Sequence, residues 1–160
     1  MKNIAVARLS QLKYVVFDLE TTGFKPSKDR IIQIAAMKMD GAKISKNLRN
    51  DILSTDKFSD LKHHKSVFNA FVNPGIEITR HITTINGIEN KHVDGKPSEE
   101  LVTREFIDFV GDRILVAQNG IKFDMKFIDE ICKRTGIKFD NGLCLDTMWL
   151  SRKLHRSEER

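Results

Sequence analysis

Phe17-Asp18-Leu19-Glu20-Thr21-Thr22-Gly23 is the stretch that decides how this 160-residue chain folds. It continues Lys13-Tyr14-Val15-Val16, and the β-branched and aromatic residues of that run predict a buried strand. On a strand, residues two apart share a face, so Asp18 and Glu20 line one patch. Two carboxylates closing an apolar strand are costly unless a cation or hydrogen bonds compensate them. Hard divalent ions such as Mg²⁺ and Mn²⁺ take oxygen ligands of this kind. An Asp-x-Glu pair alone favours a strand that has simply reached solvent. The small polar residues Thr21-Thr22-Gly23 favour a bound ligand, because they let it approach the backbone closely.

Outward from that strand, Ile31–Met39 predicts a second strand, turned at Asp40-Gly41, and Val67–Val72 a third. Strands in this order suggest an antiparallel meander. A polar insertion over about 45–66 interrupts it. Residues 76–96 are expected to be irregular, with one short helical turn around Thr83–Gly87. A helix is expected from Pro97, with Leu101, Phe106, Ile107 and Val110 as its apolar stripe and Gly111 at its end. Ile114–Ala117 follows as a short strand. Phe123, Phe127, Ile128 and Ile131 keep helical spacing up to Gly136. A brief strand at Leu143–Leu145 leads to Asp146, placed as the N-cap of a final helix beginning Thr147-Met148-Trp149-Leu150. The order is that of a mixed α/β domain over residues 1–160.

Composition excludes several classes. With 40% hydrophobic and 31% charged residues, the chain is neither disordered nor a membrane protein. No apolar run approaches the roughly 18–20 residues of a membrane span, and Met1–Arg8 lacks the pattern of a secretory signal. Cys132 and Cys144 form no CxxC pair, which argues against a disulfide framework or a zinc site and for a cytoplasmic home. The net charge of +5 suits a polyanionic partner and mere solubility equally well. His63-His64 and Lys122, Lys126, Lys133 and Lys138 read as solvated side chains.

A second segment, Ala117-Gln118-Asn119-Gly120-Ile121-Lys122-Phe123-Asp124, runs from a strand end through a loop into an amphipathic helix. Asp124 falls in the first helical turn, where the helix dipole favours a carboxylate. With Asp18 and Glu20 it gives three carboxylates from a strand and a helix, the composition of a two-metal phosphoryl-transfer site.

The two segments resemble, in order, the first and second motifs of the DEDD 3′–5′ exonucleases. That group includes the proofreading epsilon subunit of bacterial DNA polymerase III. Thr84-Ile85-Asn86-Gly87-Ile88 resembles a loop between the motifs, and Leu145-Asp146-Thr147 a later strand-to-helix junction. The resemblance covers about residues 13–154. It implies an α/β, ribonuclease H-like mixed sheet flanked by helices. Asp18, Glu20 and Asp124 would be the catalytic residues and hold two divalent ions, Mg²⁺ or Mn²⁺. Thr21, Thr22, Asn119 and Phe123 would contact the terminal nucleotide. The implied reaction releases nucleoside 5′-monophosphates from a single-stranded 3′ end, DNA in preference to RNA, with a DNA polymerase as partner.

The chain departs from the family pattern at three points. Gln118 stands where many members have His, and Asn119 and Asp124 are one residue further apart than in many of them. The third motif, a His or Tyr and a fourth Asp on a later helix, is not matched. His155-Arg156-Ser157-Glu158-Glu159-Arg160 reads as a charged tail. A C-terminally truncated domain lacking its final helix, its general base and one metal ligand is therefore expected. The alternative is a catalytically inactive module of the same fold that binds nucleic acid or a polymerase.

Overall fold

The computed structural model describes residues 12–41, 64–140 and 143–158. Strand β1 (Lys13–Thr21) is central because it pairs on both sides: antiparallel with β2 (Ile31–Asp40) and parallel with β4 (Ile114–Ala117). β3 (Val67–Phe71) adds antiparallel to β2, and β5 (Cys144–Asp146) adds parallel to β4. The sheet order is β3-β2-β1-β4-β5. The antiparallel half comes from the expected meander, and the parallel half needs the helical crossovers that follow it.

Alternation along β1 separates the two faces. Val15, Phe17 and Leu19 are buried, while Val16 and Asp18 are exposed. The buried set joins Ile34, Ala36, Leu115 and Ala117 in a core completed by two helices. Helix α3 (Glu99–Val110) contributes Val102, Phe106 and Val110, and helix α4 (Asp124–Thr135) contributes Phe127 and Ile128. The Phe106 ring stands 5.5 Å from Phe17 and 5.8 Å from Phe68, centroid to centroid.

Three expectations need correction. Residues 76–96 are not irregular: they hold helices α1 (Arg80–Asn86) and α2 (Asn90–Val93). Thr79 caps α1 through its side chain, Gly87 ends it in the left-handed region, and Glu89 and His92 form a capping box on α2. Ile82, Ile88 and Val93 then close over Ile32, Ile78 and Phe71 as a second apolar cluster. Next, α3 starts at Glu99, because Ser98 takes the cap position with its side chain accepting the Leu101 N–H at 3.4 Å. Its buried stripe is consequently Val102, Phe106 and Val110, and Leu101 faces solvent. Finally, the charged stretch after Leu154 does not form a tail: helix α5 (Thr147–Glu158) runs through it, in a segment with no Gly or Pro to stop it.

Most of the expected insertion, residues 45–63, lies outside the described residues. Among those described, Ser66 returns the chain to the sheet, its carbonyl accepting the Lys38 N–H at 2.8 Å. No helix of the described residues is long and apolar enough to cross a membrane.

Candidate active site

β4 runs beside β1 only over Tyr14–Val16, so the backbone of Leu19 lies beyond the end of that ladder. The chain leaving β4 supplies the missing acceptor. Asp124, the first residue of α4, takes the Leu19 N–H on its Oδ1 at 3.1 Å. The Leu19 side chain points into the core, and its neighbours Asp18 and Glu20 turn to the other face. One buried carboxylate is thus tied to the backbone between the two others.

The electrostatics follow from this crowding. Burial first, then the negative charges of Asp18 and Asp146, together push the Asp124 carboxyl up to about 7, with the Leu19 N–H working against them. Partial burial raises Asp18 as well. Glu20 is raised by burial and by the Asp18 charge, and a hydrogen bond from the Asn86 side chain opposes the rise. Negative charge is gathered here.

The loop between β4 and α4 is tightly held. Asn119 takes the left-handed conformation at φ 58°, which Asn tolerates better than most residues. Its carbonyl accepts the N–H groups of Lys122 and Phe123, both at 3.1 Å. Gly120 is needed for space, since a Cβ there would lie 2.5 Å from the Cβ of Ala117. On the β1 side, Thr21 donates its hydroxyl to the Gly23 carbonyl at 2.6 Å, and Thr22 Oγ1 accepts the Arg30 N–H at 2.9 Å. Both hydroxyls shape the turn after β1.

An aromatic rim adjoins the carboxylates. Phe123 stands 5.1 Å from the buried Phe127 ring and 6.2 Å from Phe24, which is 69% exposed. Ile85 and Ile121 are also exposed.

Asp18, Glu20 and Asp124 interact electrostatically, and Asn119 and Phe123 belong to the loop that delivers Asp124. Thr21 and Thr22 are buried in the turn that follows the first two carboxylates. Sequence reasoning passed over Asn86, Asp146 and Phe24 as site residues. The Asn-Gly pair ending α1 and the aromatic after Thr-Thr-Gly were the available signals for two of them.

Among the described residues, no three His, Cys, Asp or Glu side chains stand close enough together to hold a metal ion by themselves. Asp18 is exposed, Glu20 half-buried and Asp124 buried, and all three offer oxygen donors only. Such a set suits Mg²⁺ or Mn²⁺ completed by water and substrate oxygens, since magnesium commonly keeps several waters and binds through one or two carboxylates plus phosphate.

Comparisons with known proteins bear on the family and the fold. A family model described as Exonuclease (RNase_T) matches residues 15–160. A DNA polymerase III subunit epsilon of Aquifex aeolicus is 38% identical over 88% of this chain and 59% of its own length. A DNA polymerase III of PolC type from Caldanaerobacter subterraneus subsp. tengcongensis is 35% identical over 90% of this chain and 9% of its own length. The chain therefore spans about three-fifths of the first relative and under a tenth of the second. Escherichia coli exonuclease I, solved with a dT13 oligonucleotide, superposes with a TM-score of 0.67 over 91% of this chain and 30% of its own, at 17% identity. That likeness concerns the fold, which is the ribonuclease H-like mixed sheet flanked by helices.

Proposed function

Since the chain belongs to the RNase_T exonuclease family, we propose that it is a metal-dependent 3′–5′ exonuclease acting on single-stranded DNA ends and releasing nucleoside 5′-monophosphates. One observation carries this proposal: the buried Asp124 accepts the backbone N–H of Leu19, the residue between Asp18 and Glu20, and its carboxyl feels the Asp18 charge. Asp18, Glu20 and Asp124 would hold two divalent ions. Bound there, Mg²⁺ or Mn²⁺ supplies Lewis acidity for the attacking and leaving oxygens of an in-line displacement. The protein's own part is to fix the three carboxylates and to seat the strand end. Asn119 and Phe123, with the turn of Thr21 and Thr22, would line the terminal nucleotide. Phe24 offers an exposed ring on which a base can stack. The two relatives are DNA polymerase III components, which supports a setting beside a DNA polymerase.

The test uses a 5′-labelled single strand incubated with the purified chain and Mn²⁺. With the general base and fourth carboxylate of the third motif unmatched in this chain, a weak ladder shortening from the 3′ end is expected, abolished by Asp18→Ala and by chelation. A second proposal rests on the absence of a self-sufficient three-donor cage among the described residues: a module that binds the strand without cutting it. Strand binding with no ladder, unchanged by added Mn²⁺, would favour that module.

A further inference from the structure

Asp146 is 6% exposed and accepts four backbone N–H groups. Two come from its own helix: Oδ1 takes Met148 at 3.0 Å and Trp149 at 3.2 Å, as an N-cap residue does. The other two come from across the sheet. Oδ1 also takes the Asn119 N–H at 3.1 Å, and Oδ2 takes that of Ile121 at 3.4 Å. Capping α5 requires neither.

The position makes this reach possible. Asp146 is the last residue of β5 and pairs with Ala117, the last residue of β4. It therefore sits where the loop toward Asp124 departs, and Thr147 Oγ1 adds a bond to the Ala117 carbonyl at 3.4 Å. That loop behaves as one piece. The Asn119 carbonyl takes the N–H groups of Lys122 and Phe123, and the Gly120 carbonyl takes that of Met125 at 2.9 Å. Its far end is the first turn of α4, from which Asp124 reaches Leu19. Its near end is Asn119, held at φ 58° in the left-handed region that non-glycine residues seldom adopt.

We propose that Asp146 is a positioning residue of the site: by clamping Asn119 and Ile121 it fixes the loop that sets Asp124 against Asp18 and Glu20. Without the clamp Asn119 relaxes, the loop rotates, and Asp124 loses its register with the Leu19 N–H. This inference rests on the metal-site proposal above, because it concerns how the carboxylates are held for the ions.

Two substitutions separate the clamp from the cap. Asp146→Ser keeps a short oxygen that caps α5 but does not reach residue 119. Asp146→Asn keeps the Oδ1 contacts and loses the one to Ile121. Three readouts apply: thermal melting, amide exchange by NMR, and titration with Mn²⁺ alone, with Asp18→Ala as the reference for loss of the site. The serine variant is expected to fold and to protect Met148 and Trp149 as before. Its Asn119 and Ile121 amides should exchange faster, and its Mn²⁺ affinity should fall about tenfold, the usual effect of losing a group that orients a ligand. The asparagine variant should fall in between. A serine variant that binds Mn²⁺ as tightly as the unaltered chain overturns the inference and leaves the metal site standing. Should that variant not fold, an asparagine variant with undiminished affinity overturns it equally. If the unaltered chain shows no Mn²⁺ binding that Asp18→Ala removes, the metal site itself fails and the inference fails with it.

Discussion

Asp124 and Leu19 are 105 residues apart in sequence and 3.1 Å apart in space, carboxylate oxygen to backbone nitrogen. Asparagine at position 124 would still accept that N–H while removing the buried charge. Asp124→Asn should therefore raise the melting temperature of the metal-free chain at pH 8. The gain should be about 2–4 kcal/mol, given a carboxyl pushed to about 7 and roughly 1.4 kcal/mol per unit. The same substitution should abolish Mn²⁺ binding and nucleotide release. A variant both less stable and inactive would mean that the charge is better compensated than its surroundings indicate.

The pH dependence follows in sign. Unfolded, Asp124 ionises near its ordinary 3.8; folded, it holds its proton up to about 7. Between those values the folded chain carries a proton that the unfolded chain has released, so metal-free stability should fall as pH rises from about 4 to about 7. Asp18, Glu20 and Glu99 are raised as well and act in the same direction. A divalent ion competes with that proton, and the melting-temperature gain on adding Mg²⁺ should grow over the same window. Melts at pH 5, 6, 7 and 8, with and without Mg²⁺, decide it. An ion effect independent of pH would count against Asp124 as a ligand.

Much of this arrangement could be read from the residues. The alternation of Val15, Phe17 and Leu19 against Asp18 and Glu20 gave the strand and its acidic face, and the spacing of Phe127, Ile128 and Ile131 gave the helix that Asp124 opens. What stayed hidden depends on lengths set in three dimensions. That Asp124 caps Leu19 follows from β4 ending its pairing at Val16, and no local pattern announces it. Helix α1 was legible only as a short turn around Thr83–Gly87 and α2 not at all, because each is held by its caps and by burial of Ile82 and Val93, while Thr83, Thr84 and Ile85 are weak helix formers. Asp146 was legible as a cap, but its second grip on Asn119 depends on the pairing of β5 with β4.

Thr103 is fully buried in α3, and its hydroxyl has no hydrogen-bond partner among the described residues. Valine has nearly the same shape without the unsatisfied oxygen. Thr103→Val should stabilise the chain by about 1 kcal/mol, the lower end of what an unpaired buried hydroxyl costs. Urea denaturation checks it, and a destabilised variant would indicate that water reaches the hydroxyl.

Phe24 exposes most of its ring beside Phe123. Base stacking on an aromatic ring contributes roughly 1–3 kcal/mol per base. Phe24→Ala should therefore weaken binding of a short single-stranded oligonucleotide about tenfold or more while leaving the melting temperature within a degree or two. In fluorescence titrations Phe24→Tyr should restore most of the affinity. Equal affinities for all three proteins would place the bases elsewhere.

Gly120 tests the loop from its steric side. A Cβ there would lie 2.5 Å from the Cβ of Ala117 and 3.4 Å from Cys144 Sγ, so the loop has to shift away from the end of β4. Crowding of this kind in a packed region costs about 1–3 kcal/mol. Displacing the loop also moves Asn119 and the turn that carries Asp124. Gly120→Ala should therefore lower both stability and Mn²⁺ affinity. The clash is with a single methyl group, which makes a compensating change available: Ala117→Gly on the Gly120→Ala background removes it. The double variant should regain most of the metal affinity, although glycine in β4 keeps a stability cost of about 0.5–1 kcal/mol. Recovery of affinity without full recovery of stability is the expected signature. If the double variant stays as impaired in Mn²⁺ binding as Gly120→Ala alone, the contact with Ala117 is not what shapes the loop.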